Sequence, residues 1–232
     1  MNRPNPLTLN TIESKRLFLQ LLKTASVKNL ELIERIIFDL HKYKSEKPLY
    51  EMRDKWYDSL KQGTPDYSIY ESGEYLAEVW FCWETCSKKY LKNLQIPKLY
   101  PPNGIQDDNK DSELIVDMGN GVGITTAALR MMFPSSKIIG TNVEPSEQFT
   151  IALQLGETYD FTMVGDMRQI TTQPDLAIAF EYFEHFEQPL QHLEQTIGAT
   201  KPKRLLIANT FNQPATGHFI EYLIDDRPTH GS

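Results

Sequence analysis

Between Glu113 and Thr125 the chain reads Glu-Leu-Ile-Val-Asp-Met-Gly-Asn-Gly-Val-Gly-Ile-Thr, and few folds accommodate that order. Leu114 to Met118 is a short apolar run carrying one acid, the pattern of a buried strand. Gly119, Gly121 and Gly123 follow at once, and from Val122 to Phe133 the Thr, Ala and Leu residues take helical spacing. A strand, a glycine turn and a helix start form a ligand cradle. Glycine admits positive φ and close approach, and the first turn of a helix offers unpaired N–H groups. The dinucleotide-binding fingerprint sets its third glycine three residues after the second. Ile124 stands at that position, which disfavours a nicotinamide oxidoreductase. Gly-Lys-Ser/Thr does not occur, so a phosphate-binding P-loop is excluded.

A chain of 232 residues suits one domain with an appendage and can bury a sizeable core. Its net charge of -7 gives nucleic-acid phosphate no global attraction, although Lys201, Lys203 and Arg204 form a local basic cluster. Cys82 and Cys86 are too few for a disulfide framework and stand at no zinc-finger spacing, so they read as half-buried thiols in a reducing compartment. The apolar runs fall far short of the roughly 18 residues that a membrane span needs, and no signal peptide is visible. These features predict a cytoplasmic protein without a membrane partner.

Met1 to Asn10 is polar and contains proline, a loose lead-in. Leu17 to Tyr43 has helical spacing, with Ser26 or Asn29 as the break that caps a second helix. Leu49 to Leu60 places Met52, Trp56 and Leu60 on one helical stripe, and Gly63-Thr-Pro-Asp is a turn. Glu74 to Leu94 predicts a long helix bearing Tyr75, Val79, Trp83, Cys86 and Tyr90. Such a stripe usually faces a core, and a substrate-facing lid is its rarer use. Pro97 to Asp111 is a boundary loop. From Glu113 onward strands and helices alternate, which predicts an α/β fold with a Rossmann-like, doubly wound parallel sheet. The strands fall near Glu113–Met118, Lys137–Asn142, Asp160–Val164, Asp175–Phe180 and Arg204–Thr210. The helices fall near Val122–Met132, Ser146–Leu155 and Leu190–Ala199. A helical N-terminal region over residues 1–100, expected to act as lid and substrate selector, thus precedes a ligand-binding domain over 112–232. In such sheets ligands bind beyond the carboxyl ends of the strands.

The run Val-Asp-x-Gly-x-Gly-x-Gly resembles the first motif of the class I S-adenosylmethionine-dependent methyltransferases. By that resemblance Asp117, Gly119, Asn120, Gly121 and Gly123 face the methionine part of S-adenosyl-L-methionine. The second strand ends Ile-Gly-Thr-Asn-Val-Glu-Pro-Ser, where the family usually holds an acid for the ribose hydroxyls. Asn142 occupies that place and Glu144 follows two residues on, so the resemblance leaves the ribose to either; a plain turn ahead of Pro145 is the alternative. The third strand ends Met-Val-Gly-Asp-Met, which puts Asp166 at the family's adenine-amine position and Met167 against the adenine face. In isolation Asp166 would read as a turn residue. Phe180, closing the fourth strand, joins the cofactor set.

After Phe180 come Glu181-Tyr-Phe-Glu184-His185-Phe. Glu181, Glu184 and His185 stand at i, i+3 and i+4 and share a face if the chain turns helical. Two carboxylates and an imidazole at a sheet's carboxyl end suit a divalent cation. Glu-x-x-Glu-His followed by a later His resembles two metal-using O-methyltransferase groups, one making ubiquinone precursors and one acting on the terminal ribose of small RNAs. By that resemblance Glu181, Glu184, His185 and His218 hold Mg or Mn, which lowers an acceptor hydroxyl's pKa. Without a metal, Glu181 and His185 remain as catalytic acid–base groups, or the imidazole is a packing wall. His41, His192 and His230 lie outside this constellation and read as surface residues.

The chain lacks the Asp/Asn-Pro-Pro-Tyr/Phe element and the Pro-Cys nucleophile of nucleobase methyltransferases, which disfavours methylation of a base. The resemblance spans about Glu113 to Phe211. The family's sheet adds two further strands after the fifth, yet only Asn212 to Ser232 remain. The C-terminal hairpin is therefore expected to be short or missing, with one strand at most from Phe219 to Ile224. An open fifth-strand edge is a pairing liability, so the N-terminal helices, a homodimer or a partner chain should cover it. The expected activity is methyl transfer to an oxygen of a small molecule, with RNA as the other acceptor class. Tyr182, Phe183 and Phe186 would line the acceptor's aromatic wall. The competing expectation is a non-catalytic cofactor-binding scaffold or partner subunit, which Asn142 and the short C-terminus favour.

Overall fold

The computed structural model describes residues 12–24, 27, 29–39, 41, 46–93, 113–224 and 227–229. The lead-in to Asn10, the loop from Pro97 to Asp111 and His230 lie outside them. The helical part consists of α1 (Ile12–Thr24), α2 (Leu30–Phe38), α3 (Lys47–Lys61), α4 (Gly73–Cys82) and α5 (Lys88–Asn93), with a π turn over Trp83–Ser87 joining the last two. Asn29 does stand ahead of α2, but in a left-handed conformation and without a side-chain cap; its amide donates to Glu74 on α4 instead. Ser72 caps α4 by accepting the Tyr75 N–H.

The α/β part runs β1 (Leu114–Met118), α6 (Ile124–Met132), β2 (Lys137–Thr141), α7 (Glu147–Tyr159), β3 (Thr162–Val164), β4 (Leu176–Phe180), α8 (Pro189–Thr200) and β5 (Leu205–Ala208). All pairings are parallel, in the order β3-β2-β1-β4-β5. That order reverses between β1 and β4, the switch point at which a doubly wound sheet opens a ligand crevice. Asp117 sits there, in register with Gly140 on β2 and Ile178 on β4.

Alternation along the strands divides the core. Ile115, Leu176, Ile178 and Phe180 point to one face, where α6 and α7 supply Leu129, Phe133 and Ile151. Leu22, Ile33, Ile37, Trp56, Leu76 and Trp80 of the N-terminal helices belong to that same cluster. The helical region expected as an appendage thus shares its core with the sheet. Leu114, Val116, Met118, Ala177 and Ala179 point the other way and pack with Met167, Phe183 and Leu193.

The C-terminal hairpin is short, as expected. The stretch from Phe219 supplies one strand, β6 (Tyr222–Ile224), which pairs with β7 (Arg227–Thr229) in an antiparallel hairpin apart from the main sheet. Leu223 N donates to Glu187 O at 2.8 Å and Phe219 N to Glu184 O at 3.0 Å, so this segment is stitched to the loop after β4 rather than to β5. Among the described residues β5 pairs only with β4, and Ile207 is 39% exposed. On one face of β5, Leu206 and Ala208 pack against the cluster that contains the N-terminal helices. None of the described helices is long and apolar enough to cross a membrane.

Candidate functional site

One cavity of about 450 Å³ opens beyond the carboxyl ends of β1, β2 and β4. Its floor is the glycine loop. Gly119, Gly121 and Gly123 have φ of 62°, 55° and 88°, a left-handed alternation that only glycine adopts without strain. The Tyr182 ring lies against Gly119 so closely that a Cβ there would stand 2.0 Å from it. Asn120 ties the loop down: its N–H donates to Thr141 O at 3.0 Å and its Nδ2 to Thr126 Oγ1 at 2.8 Å. Its Oδ1 is buried and has no partner among the described residues. Asp117 is 2% exposed and accepts from Thr126 Oγ1 at 2.7 Å. Burial pushes its carboxyl up to about 7, because nothing cationic offsets the lost hydration.

The cofactor candidates fall into two groups. Asp117, Gly119, Asn120, Gly121, Asn142 and Phe180 line the cavity. Gly123 is the turn residue just before α6. Asn142 donates to Gly121 O at 2.7 Å and accepts from Val143 N at 2.8 Å, so its amide also braces the loop. Glu144, Asp166 and Met167 do not line the cavity. Glu144 is exposed and turned toward Gly165. Asp166 is taken by Arg168: the Arg168 backbone N–H and Nε donate to it at 2.7 and 2.9 Å, which holds its carboxyl below the usual range. Met167 is buried on the far face of the sheet with Phe183.

The end of β4 does not continue as an α-helix. Glu181 has a φ of 48°, and Phe183–His185 makes a single 3-10 turn. Glu181, Glu184 and His185 therefore do not share a helical face. Glu181 and His185 line the cavity while Glu184 turns beneath it, fully buried. Glu181 accepts from Tyr90 Oη at 2.7 Å and from Thr210 Oγ1 at 2.9 Å. Glu184 accepts from Asn209 Nδ2 at 2.6 Å and Thr210 N at 3.3 Å. Burial first, and the neighbouring Glu181 second, push the Glu184 carboxyl well above the ordinary range.

His185 and His218 face each other edge-on, ring centres 4.9 Å apart. His185 Nδ1 lies 3.1 Å from Gly217 O, and His218 Nδ1 lies 3.1 Å from Gln213 O. Burial pushes His185 down to about 3 and also lowers His218, so both rings are neutral at neutral pH. One ligand atom each from Glu184, His185 and His218 lies within 4.8 Å of the others; Glu181, held by Tyr90 and Thr210, is not part of that group.

Sequence reasoning missed several lining residues. Tyr67, Tyr70 and Glu71 come from a 3-10 turn that the periodicity did not predict. On α4 the stripe Tyr75, Val79, Trp83 continues at Ser87, not Cys86, because the π turn inserts a residue and rotates the face. The expected aromatic wall contains Tyr182 and Phe186 but not Phe183, which points into the opposite core. His192 is not a surface residue: Pro189 opens α8 so that His192 faces the β4 loop, 2.8 Å from Tyr182 Oη and stacked on Phe186 at 3.7 Å. His41 is exposed as expected.

No family model matches the chain, and neither does any curated protein. Similar solved structures include the plantazolicin methyltransferase BpumL, solved with SAH and a pentazolic desmethylPZN analog. It is 17% identical over 66% of this chain and 56% of its own, with a TM-score of 0.43. A Nostoc punctiforme protein named as a putative O-methyltransferase is 12% identical over 72% of this chain and 51% of its own, at 0.44. A Pyrococcus horikoshii protein is 17% identical over 62% and 60%, at 0.38. The chain has the Rossmann-like fold found in class I methyltransferases. It spans little more than half the length of the first two neighbours, and at these identities and TM-scores the likeness carries nothing about substrate or chemistry. The Rossmann-like fold here rests on the chain's own strand order and glycine loop.

Proposed function

We propose that the chain is an S-adenosylmethionine-dependent methyltransferase that transfers its methyl group to an oxygen of a small molecule. The observation that carries this reading is that the glycine loop with Asp117 and the Glu181–His185–His218 group face one cavity. The cofactor's chemistry fits the loop. Asp117 is a buried carboxyl lacking a cation and Asn120 Oδ1 a buried acceptor lacking a donor, and the cofactor brings both an ammonium and a sulfonium. Asn142, which lines the cavity, is the better ribose residue than the exposed Glu144.

The cofactor supplies a methyl group on a positively charged sulfur. The chain's part is to orient and deprotonate the acceptor. Glu181 takes the acceptor's hydroxyl proton as the oxygen takes the methyl, and Tyr90 and Thr210 hold its carboxylate in place. His185, neutral and pushed far down, is a weak base and serves as a hydrogen-bonding wall beside the acceptor.

A divalent cation also fits. If each imidazole carries its proton on Nδ1, donated to Gly217 O or Gln213 O, both Nε2 lone pairs are left to bind a metal, and such carbonyl-held tautomers are the usual support of metal-binding histidines. Glu184, His185 and His218 would hold the ion, which would lower the acceptor hydroxyl's pKa. Calorimetry with S-adenosylmethionine, followed by product analysis on a panel of phenols with and without Mn²⁺, tests the proposal. Binding without turnover of any hydroxyl acceptor would instead favour a cofactor-binding scaffold.

A further inference from the structure

Past the glycine loop the cavity is walled by Tyr67, Tyr70, Tyr75, Trp83, Tyr182 and Phe186. Tyr67 and Tyr70 stack at 6.3 Å with 18° between planes, and Tyr75 meets Tyr70 edge-on at 4.7 Å. The charges along this wall have one sign. Glu71, Glu78, Asp117 and Glu181 line the cavity, and among the described residues the lining contains neither Lys nor Arg. Trp83 is a second, independent sign of a ligand. It is 3% exposed and lines the cavity, and its indole N–H has no hydrogen-bond partner among the described residues. Buried donors are rarely left unsatisfied, so this N–H lacks an acceptor atom that a ligand would bring. A cavity of about 450 Å³ is on the scale of an enclosed small molecule, not of a polynucleotide.

We infer that the methyl acceptor is a small aromatic compound that carries no phosphate or carboxylate and offers an uncharged hydrogen-bond acceptor to Trp83; this rests on the methyltransferase reading of the same site. An aromatic ring stacks on the tyrosine wall. In the metal-free protein an anionic group would be buried among carboxyl groups with no counter-charge from the described lining, which is strongly unfavourable. An amine on the ring is accommodated beside Glu71. The phosphodiester of RNA meets the same obstacle, and the net charge of -7 adds to it.

The test uses the full chain, freed of divalent metal by a chelator and saturated with S-adenosylhomocysteine, titrated by calorimetry with three matched phenols: tyrosol (neutral), tyramine (cationic) and para-hydroxyphenylacetate (anionic). The first two should bind at least tenfold tighter than the third. Trp83→Phe should weaken tyrosol and tyramine several-fold more than it weakens S-adenosylhomocysteine. Glu71→Lys, at an exposed position that folding tolerates, should shift the preference toward the carboxylate. Equal or tighter binding of the carboxylate overturns the inference, and so does failure of all three phenols to bind. If S-adenosylhomocysteine itself does not bind, the methyltransferase reading falls; if it binds and the charge preference is absent, only the acceptor class is wrong.

Discussion

Tyr90 and Glu181, 91 positions apart, meet through a 2.7 Å hydrogen bond in which the phenol donates to the carboxylate. The bond joins α5 to the residue that follows β4. Tyr90→Phe removes this donor while the ring keeps its edge-on contact with Phe180 at 5.5 Å. A hydrogen bond to a charged group is worth about 1.5–3 kcal/mol, so kcat should fall by about ten- to a hundredfold with cofactor affinity unchanged. Glu181→Gln should cost more, on the order of 10²–10⁴ in kcat. Steady-state kinetics beside cofactor calorimetry separate the two parameters, and a Tyr90→Phe enzyme with normal kcat would remove Glu181 from the proposed chemistry.

Asp117 makes cofactor binding depend on pH. In the free protein its carboxyl titrates at about 7, raised by burial. A cationic ligand selects the ionised form, so its carboxyl must fall on binding. Affinity should therefore be constant above about pH 7 and decline below it, by at most about tenfold per pH unit for one linked proton. Asp117→Asn should bind weakly at every pH and lose this dependence. Calorimetry between pH 5.5 and 8.5 measures it; a flat wild-type profile would mean that Asp117 does not face a cation.

Two glycines predict opposite outcomes for the same substitution. Gly119→Ala places a Cβ 2.0 Å from the Tyr182 ring at a φ of 62°, so it should abolish cofactor binding and cost about 1–3 kcal/mol of stability. Gly198→Ala, inside α8 with nothing within 4 Å, should stabilise by about 0.5–1 kcal/mol. Thermal unfolding of the pair, with cofactor titration, checks both signs.

If a divalent cation binds as proposed, Glu184 should tie its binding to proton release. Its carboxyl is raised by burial and by Glu181, so it holds a proton at neutral pH that a cation must displace. Mn²⁺ titrations in buffers of different ionisation enthalpy should report close to one proton released per ion, and affinity should rise toward alkaline pH. His218→Ala should weaken Mn²⁺ binding about 10- to 100-fold or more, in line with the loss of metal-site support. Binding without proton release would mean that the ion sits elsewhere.

The shared core predicts cooperative unfolding. Trp80, fully buried, contacts Phe18 at 4.8 Å within the cluster that also contains Ile115 and Ile178. Trp80→Ala should cost about 3–5 kcal/mol and lower the midpoint of one transition seen by both far-UV circular dichroism and cofactor-binding activity. Separate transitions would restore an independent N-terminal unit. Deleting those helices would expose this core, so point substitutions along the cavity wall are the cleaner test of their part in acceptor choice.

What the residues determined alone was local. Each central strand lies within a residue or two of where its apolar run placed it, because a buried strand needs only a few consecutive apolar side chains. The glycine loop was legible for the same reason: alternating positive φ is a demand on the residues that carry it. The helical stripe on α4 was legible as far as Trp83, where the π turn moves the cavity face from Cys86 to Ser87. Asp166 stood at the expected strand end, but Arg168 occupies its carboxylate. His192 faces Tyr182 and Phe186 rather than water. The pairing of Tyr90 with Glu181, the burial of Glu184 and the approach of His218 to His185 belong to the tertiary structure alone. Periodicity encodes which side of its own element a residue takes, whereas the groups it meets across the sheet edge are chosen by how distant elements pack, and in this site that packing also sets which carboxyl keeps its proton.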